Sequence, residues 1–167
     1  MILVSVGSGR FPFDRLLRAI EQLPPGEELI VQHGSSSVRP TGAMCLDFIP
    51  FETMVDYVRD ARIVISHAGV GSVLVAFANG KRPLVVPRLS KFGEIVDDHQ
   101  LEFGRRLAQA DLVTLVEDLD ELPEAIARYS NGASTELRRG GQLVQELRAY
   151  LTTRVRVGPR ADSGATR

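Results

Sequence analysis

Three short stretches hold the residues able to bind charge or move a proton, and each follows an apolar run. They are Gly7-Ser8-Gly9, Ser66-His67-Ala68-Gly69-Val70-Gly71-Ser72, and the loop Pro87–Gln100. A strand ending in glycine lets backbone N–H groups approach whatever lies above a sheet, and phosphate suits such donors. The first stretch also fits a plain tight turn, because Pro12 stands where a dinucleotide fingerprint needs a third glycine. The second stretch is richer. It aims a hydroxyl, an imidazole and freed backbone donors at one point, as a diphosphate site requires. The same residues equally suit a satisfied histidine and a serine that caps a helix. A Walker A loop is excluded, since Gly80-Lys81 is followed by Arg82 with no glycine five residues before Gly80. In the third stretch, Asp97-Asp98-His99-Gln100 opens a helix. The acids there serve the helix dipole, while His99 and Gln100 can reach the hydroxyl groups of a polar ligand.

No nucleophile stands beside a base. Cys45 falls inside a strand pattern, where packing is its expected role. A single cysteine and three scattered histidines give no metal cluster, so neither metal nor cofactor is expected. The acidic pairs Asp56/Asp60, Glu117/Asp118 and Asp120/Glu121 read as solvated faces, as do Arg105-Arg106 and Arg138-Arg139.

The elements that must position these loops alternate along the chain. Strands are expected at Ile2–Val6, Glu28–Gln32, Ala43–Phe48, Arg62–Ser66, Pro83–Pro87 and Leu112–Val116. Their Val, Ile and Leu follow one another without polar alternation, as parallel strands covered on both faces require. Helices are expected at Phe13–Leu23, Phe51–Asp60, Gly71–Asn79, Asp98–Gln109, Leu119–Tyr129 and Ser134–Leu151. Leu16, Leu17, Ile20 and Leu23 share one face of the first, and Gly80 closes the third. Gly34–Gly42 reads as a mobile surface loop. This pattern predicts an α/β fold, a doubly wound Rossmann-like parallel sheet with ligands at the carboxyl ends of its strands. One domain over residues 1–151 is expected, with 152–167 as a flexible arginine-containing tail.

Composition narrows the functional classes. The chain has 167 residues, of which 20 are basic and 21 acidic, a net charge of −1. That balance supplies no general attraction to nucleic acid or anionic lipid, and no nucleic-acid partner is expected. The longest apolar stretch, Val73–Ala78, is far short of the ~20 residues of a membrane span. No secretory signal is visible at Met1–Gly7, and a soluble, cytoplasmic protein is expected.

Val64-Ile65-Ser66-His67-Ala68-Gly69-Val70-Gly71-Ser72, with Gly80–Pro87 and Asp98-His99-Gln100-Leu101-Glu102 after it, resembles a known pattern. It is similar to the C-terminal, donor-binding half of family-28 glycosyltransferases of the GT-B fold. Within that family it resembles the small separate subunit of split enzymes, as in dolichol-linked chitobiose synthesis and bacterial exopolysaccharide assembly. The likeness spans roughly Ile2–Ile126. It implies a UDP-sugar donor, with Gly7 and Ser8 near the diphosphate and Phe48-Ile49 reading the uracil ring beside Met54. By the same resemblance His67, Gly69, Gly71 and Ser72 form the diphosphate turn, and His99 and Gln100 face the donor sugar. It further implies metal-independent transfer, the leaving UDP being stabilised by a helix dipole and N–H donors.

The family places a ribose-holding glutamate three residues after the motif serine, and here that position is Val75. The acceptor site and catalytic base of the family lie in the N-terminal half. The resemblance therefore implies a membrane-anchored partner subunit bearing that site, a polyprenyl-diphosphate-linked sugar as acceptor, and recruitment to the cytosolic face of the membrane. A helix at Ser134–Leu151 is a natural docking element for that partner or a cover for the domain's own sheet. The competing reading is a non-catalytic nucleotide-sugar-binding or scaffold protein that kept the fold and lost the ribose carboxylate. An epimerase-like enzyme fits less well, because it needs acid and base residues that this sequence lacks.

Overall fold

Three apolar runs end in a polar residue, and because they pair in parallel those polar residues gather at one end of the sheet. In the computed structural model, which describes residues 1–24 and 26–129, these runs are β1 (Ile2–Ser5), β2 (Leu29–Gln32) and β4 (Ile63–His67). With β3 (Met44–Leu46), β5 (Leu84–Val86) and β6 (Thr114–Leu115) they form one sheet in the order β3-β2-β1-β4-β5-β6. Every pairing is parallel. The fold is the doubly wound α/β arrangement that the sequence predicts. The largest shortenings fall on β3 and β6, expected over Ala43–Phe48 and Leu112–Val116. Both are edge strands, paired on one side only.

Alternation along the strands feeds one apolar cluster on one face of the sheet and two on the other. Ile2, Val4, Val31, Ile63, Ile65, Leu84 and Val86 face α1 (Asp14–Glu21), whose Leu16, Leu17 and Ile20 are buried, together with Leu122 of α5 (Leu122–Ala127). On the other face Leu3, Ile30 and Val64 pack with Val58 of α2 (Phe51–Asp60) and Val75 of α3 (Val70–Ala78). Val85 joins Val73 and Phe77 of α3 with Phe103 and Leu107 of α4 (His99–Gln109). The helix expected at Leu119–Tyr129 opens as a 3-10 turn, Leu119–Glu121, before α5. No helix among the described residues is long and apolar enough to cross a membrane. The helix expected at Ser134–Leu151 and the tail at 152–167 lie outside the described residues.

The helices after β1 and β4 leave to opposite faces because β2 and β5 lie on opposite sides of that strand pair. The crevice above the ends of β1 and β4 is therefore left open, the switch point where doubly wound sheets bind ligands.

Gly34–Gly42, expected to be mobile, is fastened to α1. The Asp14 carboxylate accepts from the Ser37 amide at 2.8 Å, the Ser37 hydroxyl at 2.7 Å and the Val38 amide at 3.2 Å. The Ser36 hydroxyl accepts from the buried Phe13 amide at 2.7 Å. Asp14 thus spends its carboxylate on a second segment. Asp14→Ala is expected to cost about 1–2 kcal/mol and to speed hydrogen exchange at the Ser37 and Val38 amides. Unchanged exchange there would show that the loop holds itself.

Candidate functional site

The ends of β2, β1 and β4 place Gln32, Ser5 and Ser66 side by side, in register and buried. Gln32 uses its amide fully. Its Oε1 accepts from the Ser5 hydroxyl at 2.9 Å and the Gly7 amide at 3.1 Å. Its Nε2 donates to the Gly7 carbonyl at 3.2 Å and the Asp47 carbonyl at 2.8 Å. One side chain thereby joins the loop after β1 to the loop after β3. Beside it, His33 is buried, with Nε2 2.8 Å from the Asp47 carboxylate and Nδ1 3.0 Å from the Gly34 carbonyl.

Above this row lies a cavity of about 460 Å³. Gly7, Ser8 and Gly9 line one side, and Gly71 and Ser72 of α3 line another. Phe48, Ile49, Phe51 and Met54 form an apolar wall, with Phe48 and Phe51 more than half exposed at its mouth. The inner lining is Leu3, Val58, Val64 and Val75, together with Ser5, Gln32, Ser66 and His67. It contains no Asp, Glu, Lys or Arg among the described residues.

The His67 ring explains the glycines around it. A Cβ added at Gly7, where φ is +81°, would lie 2.5 Å from Cε1 of His67, and one at Gly69 would fall closer still to Nε2. The imidazole is therefore wedged between the end of β1 and the start of α3, where only glycine leaves room. Burial first, and the Arg88 charge second, push its pKa down to about 4, against the Ser5 backbone that favours the charged form. His67 is neutral at pH 7. Its Nδ1 and the Ser66 Oγ are buried without a hydrogen-bond partner among the described residues.

Helix α3 begins at Val70 with Gly69 as its cap, so Ser72 is the third helical residue rather than the capping one. The amides of its first turn have no acceptor within the helix, and its dipole turns a partial positive charge toward the cavity. The site offers the first-turn amides of α3 on one side, the small residues of the Gly7–Gly9 loop on the other, one neutral imidazole and one apolar wall. That donor set fits a diphosphate carrying a flat apolar group.

Of the residues singled out in the sequence, Gly7, Ser8, Phe48, Ile49, His67, Gly71 and Ser72 line this cavity together. Gly69 stands behind them against the imidazole. His99 and Gln100, expected to face a donor sugar, stand apart from the lining. Gln100 is buried, its Oε1 accepting from the Arg88 amide at 3.2 Å, and His99 pairs with Asp97. Sequence reasoning missed Gln32 and Arg88. A visible signal for Gln32 was the polar residue closing an otherwise apolar strand. Arg88 carried none, being one arginine among many.

The model of the glycosyltransferase family 28 C-terminal domain matches residues 1–148. A UDP-N-acetylglucosamine transferase subunit ALG13 from Yarrowia lipolytica is 39% identical over 62 residues, covering 37% of this chain and 30% of that protein. Among solved structures, the calicheamicin glycosyltransferase CalG4 aligns over 91% of this chain and 43% of its own, with TM-score 0.58 and 20% identity. MurG from Acinetobacter baumannii aligns over 91% of this chain and 49% of its own, with TM-score 0.56 and 18% identity. The glycotransferase of kitacinnamycin gives TM-score 0.56 at 20% identity, over 89% of this chain and 39% of its own. These structures share the fold, and the chain spans less than half the length of each of these proteins. The extent of the family match carries the assignment: the chain belongs to the glycosyltransferase family 28 C-terminal domain family.

Proposed function

We propose that this chain is the donor-binding part of a glycosyltransferase, holding a UDP-sugar across the ends of β1 and β4. The observation that carries this reading is the pairing of two glycine turns, Gly7–Gly9 and Gly69–Ser72, across one cavity with His67 between them. The diphosphate lies between the loop after β1 and the first turn of α3. The uracil ring lies against Phe48, Ile49 and Met54. Transfer breaks the bond between the sugar's anomeric carbon and the diphosphate oxygen as an acceptor hydroxyl attacks that carbon. UDP leaves with the bonding electron pair, and the N–H donors and helix dipole stabilise its new charge. The acceptor hydroxyl's proton needs a base. Among the described residues the cavity lining has no carboxylate, and in this reading the base and acceptor site are supplied by a second polypeptide or domain. The word "subunit" in the name of the Yarrowia protein supports that division. In this reading the acceptor is a polyprenyl-diphosphate-linked sugar, and the partner brings the chain to the cytosolic face of a membrane for polysaccharide or glycan assembly.

Calorimetric titration with UDP tests the site. Ser72→Ala is expected to weaken UDP by about 1.5–3 kcal/mol, the worth of a hydrogen bond to a charged group. Unchanged affinity would remove the serine from the site.

One observation favours a second reading, binding without turnover: Val75 stands in the inner lining beside Leu3, Val58 and Val64, and among the described residues no carboxylate there meets the ribose hydroxyls. Such diols are ordinarily held by an acidic side chain in doubly wound folds. The unaltered chain is expected to bind UDP and dUDP alike, and Val75→Glu to bind UDP more tightly than dUDP. Equal binding of the two by the variant would place the ribose elsewhere.

A further inference from the structure

The loop after β1 supplies one side of the cavity, yet its ends are fixed from beneath by a residue that does not touch the cavity. Arg88 follows β5 and is 4% exposed. Its Nη2 donates to the Val6 carbonyl at 2.7 Å, and its Nη1 donates to the carbonyls of Phe11 at 2.7 Å and Pro12 at 3.2 Å. Nη1 also reaches the Glu94 carbonyl at 3.1 Å, and the guanidinium lies 4.8 Å from the centre of the Phe13 ring. Val6 begins the loop, while Phe11 and Pro12 end it. One planar fork therefore sets the distance between the loop's two ends.

The peptide plane makes this a matter of orientation as well. In a trans peptide the C=O and the following N–H point in opposite directions. Drawing the Val6 carbonyl down onto Arg88 turns the Gly7 N–H the other way, where Gln32 Oε1 receives it. The Arg88 backbone is held in turn: Gln100 Oε1 accepts its amide, and the Glu94 carboxylate accepts from the Leu89 amide at 3.0 Å. Arg15 closes the brace with a fork onto both Glu94 oxygens, at 2.9 and 3.0 Å. Burial pulls the Arg88 guanidinium below its ordinary pKa, with Glu94 opposing.

We propose that Arg88 is a positioning residue for the donor diphosphate, shaping the Gly7–Gly9 loop through the Val6, Phe11 and Pro12 carbonyls. The proposal rests on the donor-site reading above. It assigns Gln100 and Glu94 a supporting role in the same brace. A lysine in this place keeps the charge but cannot span carbonyls at both ends of the loop.

The test compares UDP, measured by calorimetry, with uridine, measured by ligand-observed NMR, on the full chain. Uridine meets the Phe48–Met54 wall and not the braced loop. Arg88→Lys and Arg88→Met are each expected to weaken UDP tenfold or more while uridine affinity stays within twofold. An unchanged ratio of the two affinities, whether both hold or both fall, makes Arg88 a purely structural residue and overturns the proposal. Should either variant fail to fold, Gln100→Leu frees the Arg88 backbone and leaves the guanidinium in place. A threefold or greater loss in the same ratio supports the brace, and an unchanged ratio overturns it. A wild-type chain that binds no UDP overturns the donor reading and this proposal with it; wild-type binding with an unchanged ratio overturns this proposal alone.

Discussion

One imidazole ring held between two backbones fixes the geometry of the cavity. His67 ends β4, and its ring fills the gap between Gly7 at the end of β1 and Gly69 at the start of α3. The ring sets how closely the two donor loops approach, so a side chain at either glycine would drive them apart. A charged imidazole would be costly in that place, largely enclosed by protein at the base of the cavity and near a buried guanidinium. Its depressed pKa of about 4 follows from those two facts. A neutral ring with fixed neighbours is a rigid spacer, and rigidity is what a site built from backbone N–H groups needs, because such groups cannot adjust their reach one at a time.

Around that spacer the structure is braced from below and from the side. Gln32 ties the loops after β1 and β3 together through three hydrogen bonds and takes a fourth from Ser5 of β1, and Arg88 gathers the carbonyls at both ends of the first loop. Both are buried polar groups whose partners are mostly main-chain atoms. Such groups are costly when unsatisfied, so these hydrogen bonds favour one arrangement of the loops. The charge of Arg88 also reaches the cavity without lining it, as its effect on His67 shows. If the cavity takes a diphosphate as proposed, positive potential beneath it would attract that ligand.

Much of this was legible in the sequence, and the parts that were not have a common cause. The alternation of apolar runs and amphipathic segments reads directly as a parallel sheet, since those patterns are dictated by burial on two faces. From residue types alone Gly7, Ser8, Gly71 and Ser72 also fitted a tight turn and a helix cap; the family resemblance singled them out, and they line one cavity. What escaped was tertiary. Asp14 looks like an ordinary acid in the first turn of a helix, yet it holds the loop at Ser37 and Val38. Gln100 follows a histidine in an exposed-looking helix start, yet its side chain turns inward under Arg88. Contacts between segments 70 or more residues apart, such as those of Arg88 with Val6 and Phe11, leave no periodicity in one sequence.

The central claim is that a nucleoside diphosphate sits between the Gly7 loop and the first turn of α3, with its base on the Phe48 wall. The most direct measurement is an amide-resolved NMR titration of the full chain with UDP. Shifts are expected to concentrate at Gly7–Gly9, Val70–Ser72 and Phe48–Phe51, saturating together with one affinity. Saturable shifts confined to other parts of the chain, or none at millimolar UDP, would contradict that claim.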